Sequence, residues 1–305
     1  MEDELRVVEM GEYKLRFEND AEISEVFAEK ARNELRETPE LREEALRQLI
    51  DMIDSRDDMC RTYLTDEYLL GFLRVCKFYH ESAFKRLHTS LIFKEKYPKY
   101  CGNLRPLEEK NVFTSNVFTV LPSRDQHGRR ILLIEAGSKW NPKAVSLVEL
   151  VRGVMMVVEA ALLEPHTQIC GATIVIDMIG LPISHVWQFS PGFAKMLLDW
   201  VQEVVPCRVK AVHIVNQPYI FNMVFNIFKP FIGEKLRNRI FFHGTDHASL
   251  TAHIEPKFLP TQYGGEMNLQ TIYGENLHKV LGRYDDRFEE VNSRQLLDVK
   301  TKSKK

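Results

Sequence analysis

The 305-residue chain is 44% hydrophobic and 28% charged, which excludes a disordered protein and supplies a sizeable core for one large domain or two smaller ones. Its 41 Lys and Arg against 43 Asp and Glu leave a net charge of −2, so no positive excess steers the whole chain to nucleic acid. The five cysteines, Cys60, Cys76, Cys101, Cys170 and Cys207, form neither a Cys-x-x-Cys pair nor a zinc spacing and read as reduced thiols of the cytosol.

The acidic start, Met1 to Arg6, carries no apolar h-region, so no signal peptide is expected, and neither end carries a lipidation motif. Residues 1–23 are mixed and polar and read as a flexible N-terminal segment. From 24 to 105 the apolar period is helical, and a small all-α module is expected. Thr38-Pro39 is a helix start, with threonine as N-cap and proline at the first position. Leu41, Ala45, Leu46, Leu49, Ile50 and Ile53 then share a face. Thr65 begins a second helix with Asp66 and Glu67 in its first turn, and a third follows from Glu81.

Residues 106–273 read as strands alternating with helices. Val117–Leu121 and Arg130–Ala136 flank a turn-rich link and predict a hairpin. A long apolar helix follows over Ser146–Leu163, then a β-branched strand over Ala172–Asp177, of the kind buried on both faces. A helix beginning at Ser190-Pro191, a strand over Ala211–Asn216 and a short strand over Arg239–His243 complete an α/β domain with a mainly parallel sheet. Residues 274–305 read as a polar C-terminal tail whose last dozen residues are disordered.

Enzyme chemistry finds no constellation. Asp177 ends an apolar strand as a magnesium-holding aspartate does, but no Gly-x-x-x-x-Gly-Lys-Ser/Thr loop accompanies it, so it reads as a backbone cap. No Gly-x-Gly-x-x-Gly follows a strand, no Gly-x-Ser-x-Gly elbow exists, and His213 and His243 read as structural. No metal site, cofactor or catalytic residue is expected.

Two features stand out instead. If Tyr219–Phe228 is helical, only Asn222, Asn226 and the following Lys229 are polar, in one narrow stripe on an apolar background. At about 10 residues it is far short of the ~20 that span a membrane, so it is either packed in a core or a lid facing something apolar. Around it Arg208, Lys210, Lys229, Lys235, Arg237 and Arg239 face Glu234 alone. That cluster is either a solvated face or a site for anionic headgroups, each basic side chain adding about 1 kcal/mol near such a surface.

Six motifs occur in order from about Thr65 to Glu266. They are Tyr63-Leu-Thr-Asp-Glu-Tyr-Leu-Leu-Gly-Phe-Leu-Arg-Val-Cys-Lys-Phe78, Gly128-Arg-Arg-Ile131, Ile214-Val-Asn-Gln-Pro218, Phe228-Lys-Pro-Phe231, Arg239-Ile-Phe-Phe-His-Gly244 and Leu259-Pro-Thr-Gln-Tyr-Gly-Gly265. Together they resemble the CRAL-TRIO lipid-binding family, and most closely its animal branch, which contains the α-tocopherol transfer and retinaldehyde-binding proteins. The resemblance implies a helical module on an α/β domain whose sheet floors a hydrophobic cavity closed by a gate helix, here Pro218–Phe231. Val154, Met155, Val158, Ile174, Ile176, Val212, Ile214, Phe221, Val224 and Phe225 are expected to wall that cavity. The branch's phosphoinositide-binding basic patch corresponds to Arg208, Lys210, Lys235 and Arg239. Two serines that position tocopherol's polar end correspond to Val154 and Val158, which makes this cavity more apolar, and Gly71 replaces an arginine usual in the first motif.

The implied function is a non-enzymatic, cytoplasmic and monomeric carrier of a tocopherol-, retinoid-, carotenoid- or other isoprenoid-like lipid. It would exchange its ligand at phosphoinositide-containing endomembranes, which it touches only transiently, and has no nucleic-acid partner. The alternatives are a lipid-regulated interaction module and, further off, a lipid-modifying enzyme.

Overall fold

Residues 7–18 and 23–297 are described in the computed structural model of the chain. An antiparallel hairpin of β1 (Val7–Met10) and β2 (Tyr13–Arg16) opens it, burying Val8, Met10, Leu15 and Phe17 in the core. The expectation of a loose leader fails there, because alternation over four-residue strands is too short a pattern to stand out from a polar background. Residues 1–6 and 19–22 of that leader lie outside the described set.

The helical module comprises α1 (Glu25–Leu35), α2 (Pro39–Asp54), α3 (Asp66–Val75) and α4 (His80–Lys96). Both expected caps form: Thr38 Oγ1 accepts from Leu41 N at 3.2 Å, and Thr65 Oγ1 accepts from Tyr68 N at 3.4 Å. Ala45, Leu49 and Ile53 of α2 meet Leu69, Phe72 and Leu73 of α3 and Leu87 and Leu91 of α4 in a core of their own. Ile169 and Cys170 of the following domain share that core, which fixes the module against it. Pro98 follows the end of α4 and begins the short α5 (Pro98–Cys101), where its missing N–H costs nothing.

After α6 (Lys110–Thr114), strands β3 (Phe118–Val120) and β4 (Arg130–Ile134) form the expected antiparallel hairpin. Helix α7 (Leu147–Ala161) starts at a reciprocal capping box between Ser146 and Glu149, and α8 (Pro165–Cys170) leads into β5 (Ala172–Asp177). Helices α9 (Ile183–Val186) and α10 (Pro191–Asp199), the latter continued by a π-turn to Val204, lead to β6 (Val209–Val215). Helix α11 (Phe221–Phe228), a 3-10 turn to Phe231 and α12 (Glu234–Arg237) precede β7 (Ile240–Gly244) and α13 (His247–Thr251).

The sheet order is β3-β4-β5-β6-β7, antiparallel in its first pair and parallel in the rest. Ile131, Leu133, Val175 and Val215 join Leu250, Leu259, Tyr263 and Met267 in one continuous core. Beyond Gly274, α14 (Gly274–Gly282) and α15 (Asp285–Ser293) bury Leu277, Val280, Leu281, Phe288 and Val291 in that core. The sequence reading of a polar tail misses them because one apolar residue in three or four, diluted by charge, is all an amphipathic helix needs. The expected disorder of the last dozen residues falls mostly on 298–305, outside the described residues.

Candidate functional site

Parallel registry puts Ile174 beside Val212 and Ile176 beside Ile214, with Ile240 and Phe242 next in the same rows. Since side chains alternate along a strand, these six share one face of the sheet. Helix α11 lies over that face: Phe221 and Val224 are buried against Ile214, Leu181 and Val186, with Ile176, Val212, Phe225 and Phe228 around them. Phe225 meets the Phe242 ring edge-on at 5.1 Å, and Phe228 meets Phe189 at 5.6 Å. Val158 of α7 packs near Ala172 at the amino end of the central strand, Val154 is half-buried at the main core, and Met155 is buried there with its Sδ 4.0 Å from Cys101 Sγ.

Ile174 is the odd member. It stands in the middle of the central strand, where full burial is the rule, yet it is only half-buried and belongs to none of the packed apolar clusters among the described residues. Its neighbours Thr173 and Val175, pointing the other way, are closed off at 0% and 1% exposure. The central strand is therefore closed on one face and partly accessible at Ile174 on the α11 side. A cleft of about 620 Å³ opens elsewhere, between α3, the end of α7 and α15. Leu70, Leu162, Leu163, Phe288 and Val291 line it together with Arg42, Glu67, Arg74, Glu159, Arg287 and Arg294, so its walls mix apolar and charged side chains.

Of the outward-facing Asn222, Met223 and Asn226 of α11 only Met223 is apolar, but exposed apolar side chains flank the helix. Tyr219 is 91% exposed and Met223 44%, and across the Leu181–Val186 cluster Trp187 is 75% exposed, with Ile179 and Ile183 about half exposed. The sequence reading misses Trp187, Ile179 and Ile183, since exposure of a lone aromatic is a property of the fold and leaves no periodic signal.

The four predicted basic residues converge at the amino ends of β6 and β7. The Arg208 guanidinium donates to Glu34 Oε2 at 2.7 Å and the Lys210 ammonium to the same oxygen at 3.0 Å, while Arg208 also bonds the Ile169 carbonyl and Arg239 the Val209 carbonyl. Partial burial, then repulsion by Arg239, Arg86 and Arg208, pulls the Lys235 ammonium below its ordinary value. Burial, then Arg208 and Arg129, does the same to Arg239. Arg86 and Arg129 thus join the patch, from α4 and from the β3–β4 link, where only the fold could place them. Gly171 brings the strands together: its φ is +83°, and a Cβ there would stand 2.1 Å from the Arg208 carbonyl oxygen.

The groups an enzyme could use are engaged otherwise. Asp177 accepts from Ile179 N at 2.9 Å, Asn216 Nδ2 at 3.0 Å and the Tyr263 hydroxyl at 2.9 Å, a backbone-capping role. His213 Nδ1 lies 2.9 Å from His243 Nε2, whose other ring nitrogen meets Ser249 Oγ. Burial, then the nearby His243 and His253, pushes His213 down to about 3.

A CRAL/TRIO domain model matches residues 114–265, and "Alpha-tocopherol transfer protein-like" from Mus musculus is 37% identical over 243 residues, 80% of this chain and 71% of that protein. The chain belongs to the CRAL/TRIO family. The Homo sapiens protein of the same name is 36% identical over the same shares, and "Clavesin-1" from Pongo abelii is 31% identical over 81% of this chain and 70% of that one. In this CRAL/TRIO protein the matched residues run from α6 through all five sheet strands and α11 to the Leu259–Gly265 motif, so the sheet face, the α11 helix and most of the basic patch lie within them. The helical module that supplies Glu34 and Arg86 precedes them.

Proposed function

We propose that this CRAL/TRIO protein is a non-enzymatic carrier. It holds a lipophilic small molecule over the sheet face under α11 and exchanges it at phosphoinositide-containing membranes. The observation that carries the reading is the accessible Ile174 at the sheet's centre, on the face that α11 covers with Phe221, Val224 and Phe225. An apolar ligand filling that space gains roughly 25 cal/mol per Å² removed from water, and about 400 Å² gives roughly 10 kcal/mol before ordering costs. The relatives named for α-tocopherol transfer support a lipophile as cargo, and valines at 154 and 158 favour one with little polar character.

Opening α11 exposes Phe221, Val224 and Phe225. In water that is costly; against a bilayer, with Trp187, Tyr219 and Met223 already at the surface, the exposed face moves into hydrocarbon instead. Arg208, Lys210, Lys235 and Arg239 supply the address, binding headgroup phosphates reversibly and in a salt-sensitive way. Among the described residues no helix is long and apolar enough to cross a membrane. No chemistry on the ligand is needed.

Vesicle co-sedimentation tests the address. Wild type is expected to bind phosphoinositide vesicles and to lose most of that binding in Lys235→Ala/Arg239→Ala; equal binding by the two proteins would sink the patch assignment.

A further inference from the structure

Half of the basic patch is already occupied by the protein's own carboxylate. Glu34, in the last turn of α1, places one oxygen, Oε2, between Arg208 Nη2 at 2.7 Å and Lys210 Nζ at 3.0 Å. Its other oxygen lies 3.7 Å from Lys30. Lys235, Arg239 and Arg86, in the other half, have no carboxylate within 4.0 Å among the described residues. The Arg239 guanidinium bonds the Val209 carbonyl, and that of Arg86 bonds the Val205 and Gln202 carbonyls and meets the Cys76 thiol. The patch is thus divided into a latched half and an open half.

We propose that Glu34 is a stand-in for a headgroup phosphate: a singly phosphorylated headgroup fills the open half without disturbing it, and a second phosphate binds by displacing Glu34 from Arg208 and Lys210. This rests on the phosphoinositide reading above and states how that site is regulated. The geometry favours displacement of a side chain over undocking of a helix. Helix α1 is held independently of the ion pairs, by Ala31 and Leu35 in the module's core and by Phe27 stacked on His166 with ring centroids 4.0 Å apart. The Glu34 side chain is 35% exposed, so it has solvent to swing into. Burial raises its pKa, but bonds from Lys210 and Arg208 overcome this and hold it at about 2, so it is ionised at any pH at which a phosphate would compete.

The exchange is charge for charge. Arg208 and Lys210 lose one carboxylate and gain a phosphate monoester of up to two negative charges with three acceptor oxygens, which a bidentate guanidinium can grip more fully. Phosphatidylserine offers the latched half only another carboxylate and gains nothing by the exchange. The latch therefore lowers affinity selectively for ligands that need both halves.

The test compares wild type with Glu34→Gln, which keeps shape and removes charge. Affinities are measured by calorimetry for free inositol mono- and bisphosphates, and by sedimentation for phosphatidylcholine vesicles doped with the corresponding lipids or with phosphatidylserine. The bisphosphate affinity is expected to rise about fivefold, the worth of one partly exposed ion pair, while monophosphate and phosphatidylserine stay within about twofold. An equal rise for all ligands would reduce Glu34 to a general field effect and overturn the latch, as would no rise at all with the variant's melting temperature unchanged. If wild type binds no inositol phosphate and Lys235→Ala/Arg239→Ala alters nothing, it is the phosphoinositide reading that fails, and the latch falls with it.

Discussion

At the scale of single residues, the sequence motifs separate what is structural from what is exposed for use. Asp177 and His243 sit at or near the carboxyl ends of parallel strands, where an active site could be, and His213 inside β6; each is bonded instead to a neighbour that fixes it. The histidines make this testable. His213 is 2% exposed, faces His243, His253 and the Phe241 ring, and is held neutral in the fold at about 3 against an ordinary 6.5. A base whose folded value is depressed contributes stability that is complete above the unfolded value and lost as pH falls. Denaturant stability is therefore expected to decline as pH drops from 6.5 toward 3, by up to roughly 1.4 kcal/mol per unit for this proton. His213→Gln should flatten that slope, and an unchanged slope would place the acid sensitivity elsewhere. Single-residue reading also has a clear limit at Glu34. It belongs to an ordinary i,i+4 pair with Lys30, and its meeting with Arg208 and Lys210, more than 170 positions away, is made only by the docking of α1 on α8.

At the scale of elements, α11 buries an apolar inner face and turns a narrow Asn222/Asn226 stripe outward, and its neighbours extend apolar surface around that stripe. The inner face meets Ile214 and Phe242, and the outer face adjoins exposed Trp187 and Tyr219. These two aromatics hold nothing together, so Trp187→Ser/Tyr219→Ser is expected to leave stability within about 0.5 kcal/mol. Burying such a side chain is worth about 1.5–3 kcal/mol, so vesicle affinity should fall at least about tenfold. Unaltered partitioning would remove the membrane role from this face. The strongest elements were readable: β5 runs over Ala172–Asp177 as its β-branched pattern predicts, and Thr38, Thr65, Ser146 and Ser190 each cap the helix that follows. The hairpin at residues 7–16 and helices α14 and α15 were not, because their apolar residues are few and become meaningful only against the core that receives them.

At the scale of the whole molecule, three parts divide the work. A helical module with its own core braces the amino ends of the strands and supplies Glu34 and Arg86; α11 packs its apolar face on the sheet; and the basic patch sits where the two meet. The fold class and the family followed from motifs spread over some two hundred residues. The cavity's walls did not follow as securely: Met155 lies in the main core beside Cys101, and which apolar side chain stays uncovered depends on packing that no periodicity encodes. The central claim is that the space above Ile174 holds a lipophile. Mass spectrometry of organic extracts from gently purified protein tests it directly, with Ile174→Phe, a variant that fills the space, as the comparison. A single apolar ligand near one per wild-type chain, depleted in a folded Ile174→Phe protein, is the predicted result; extracts that are empty, or equally loaded in both, would contradict it.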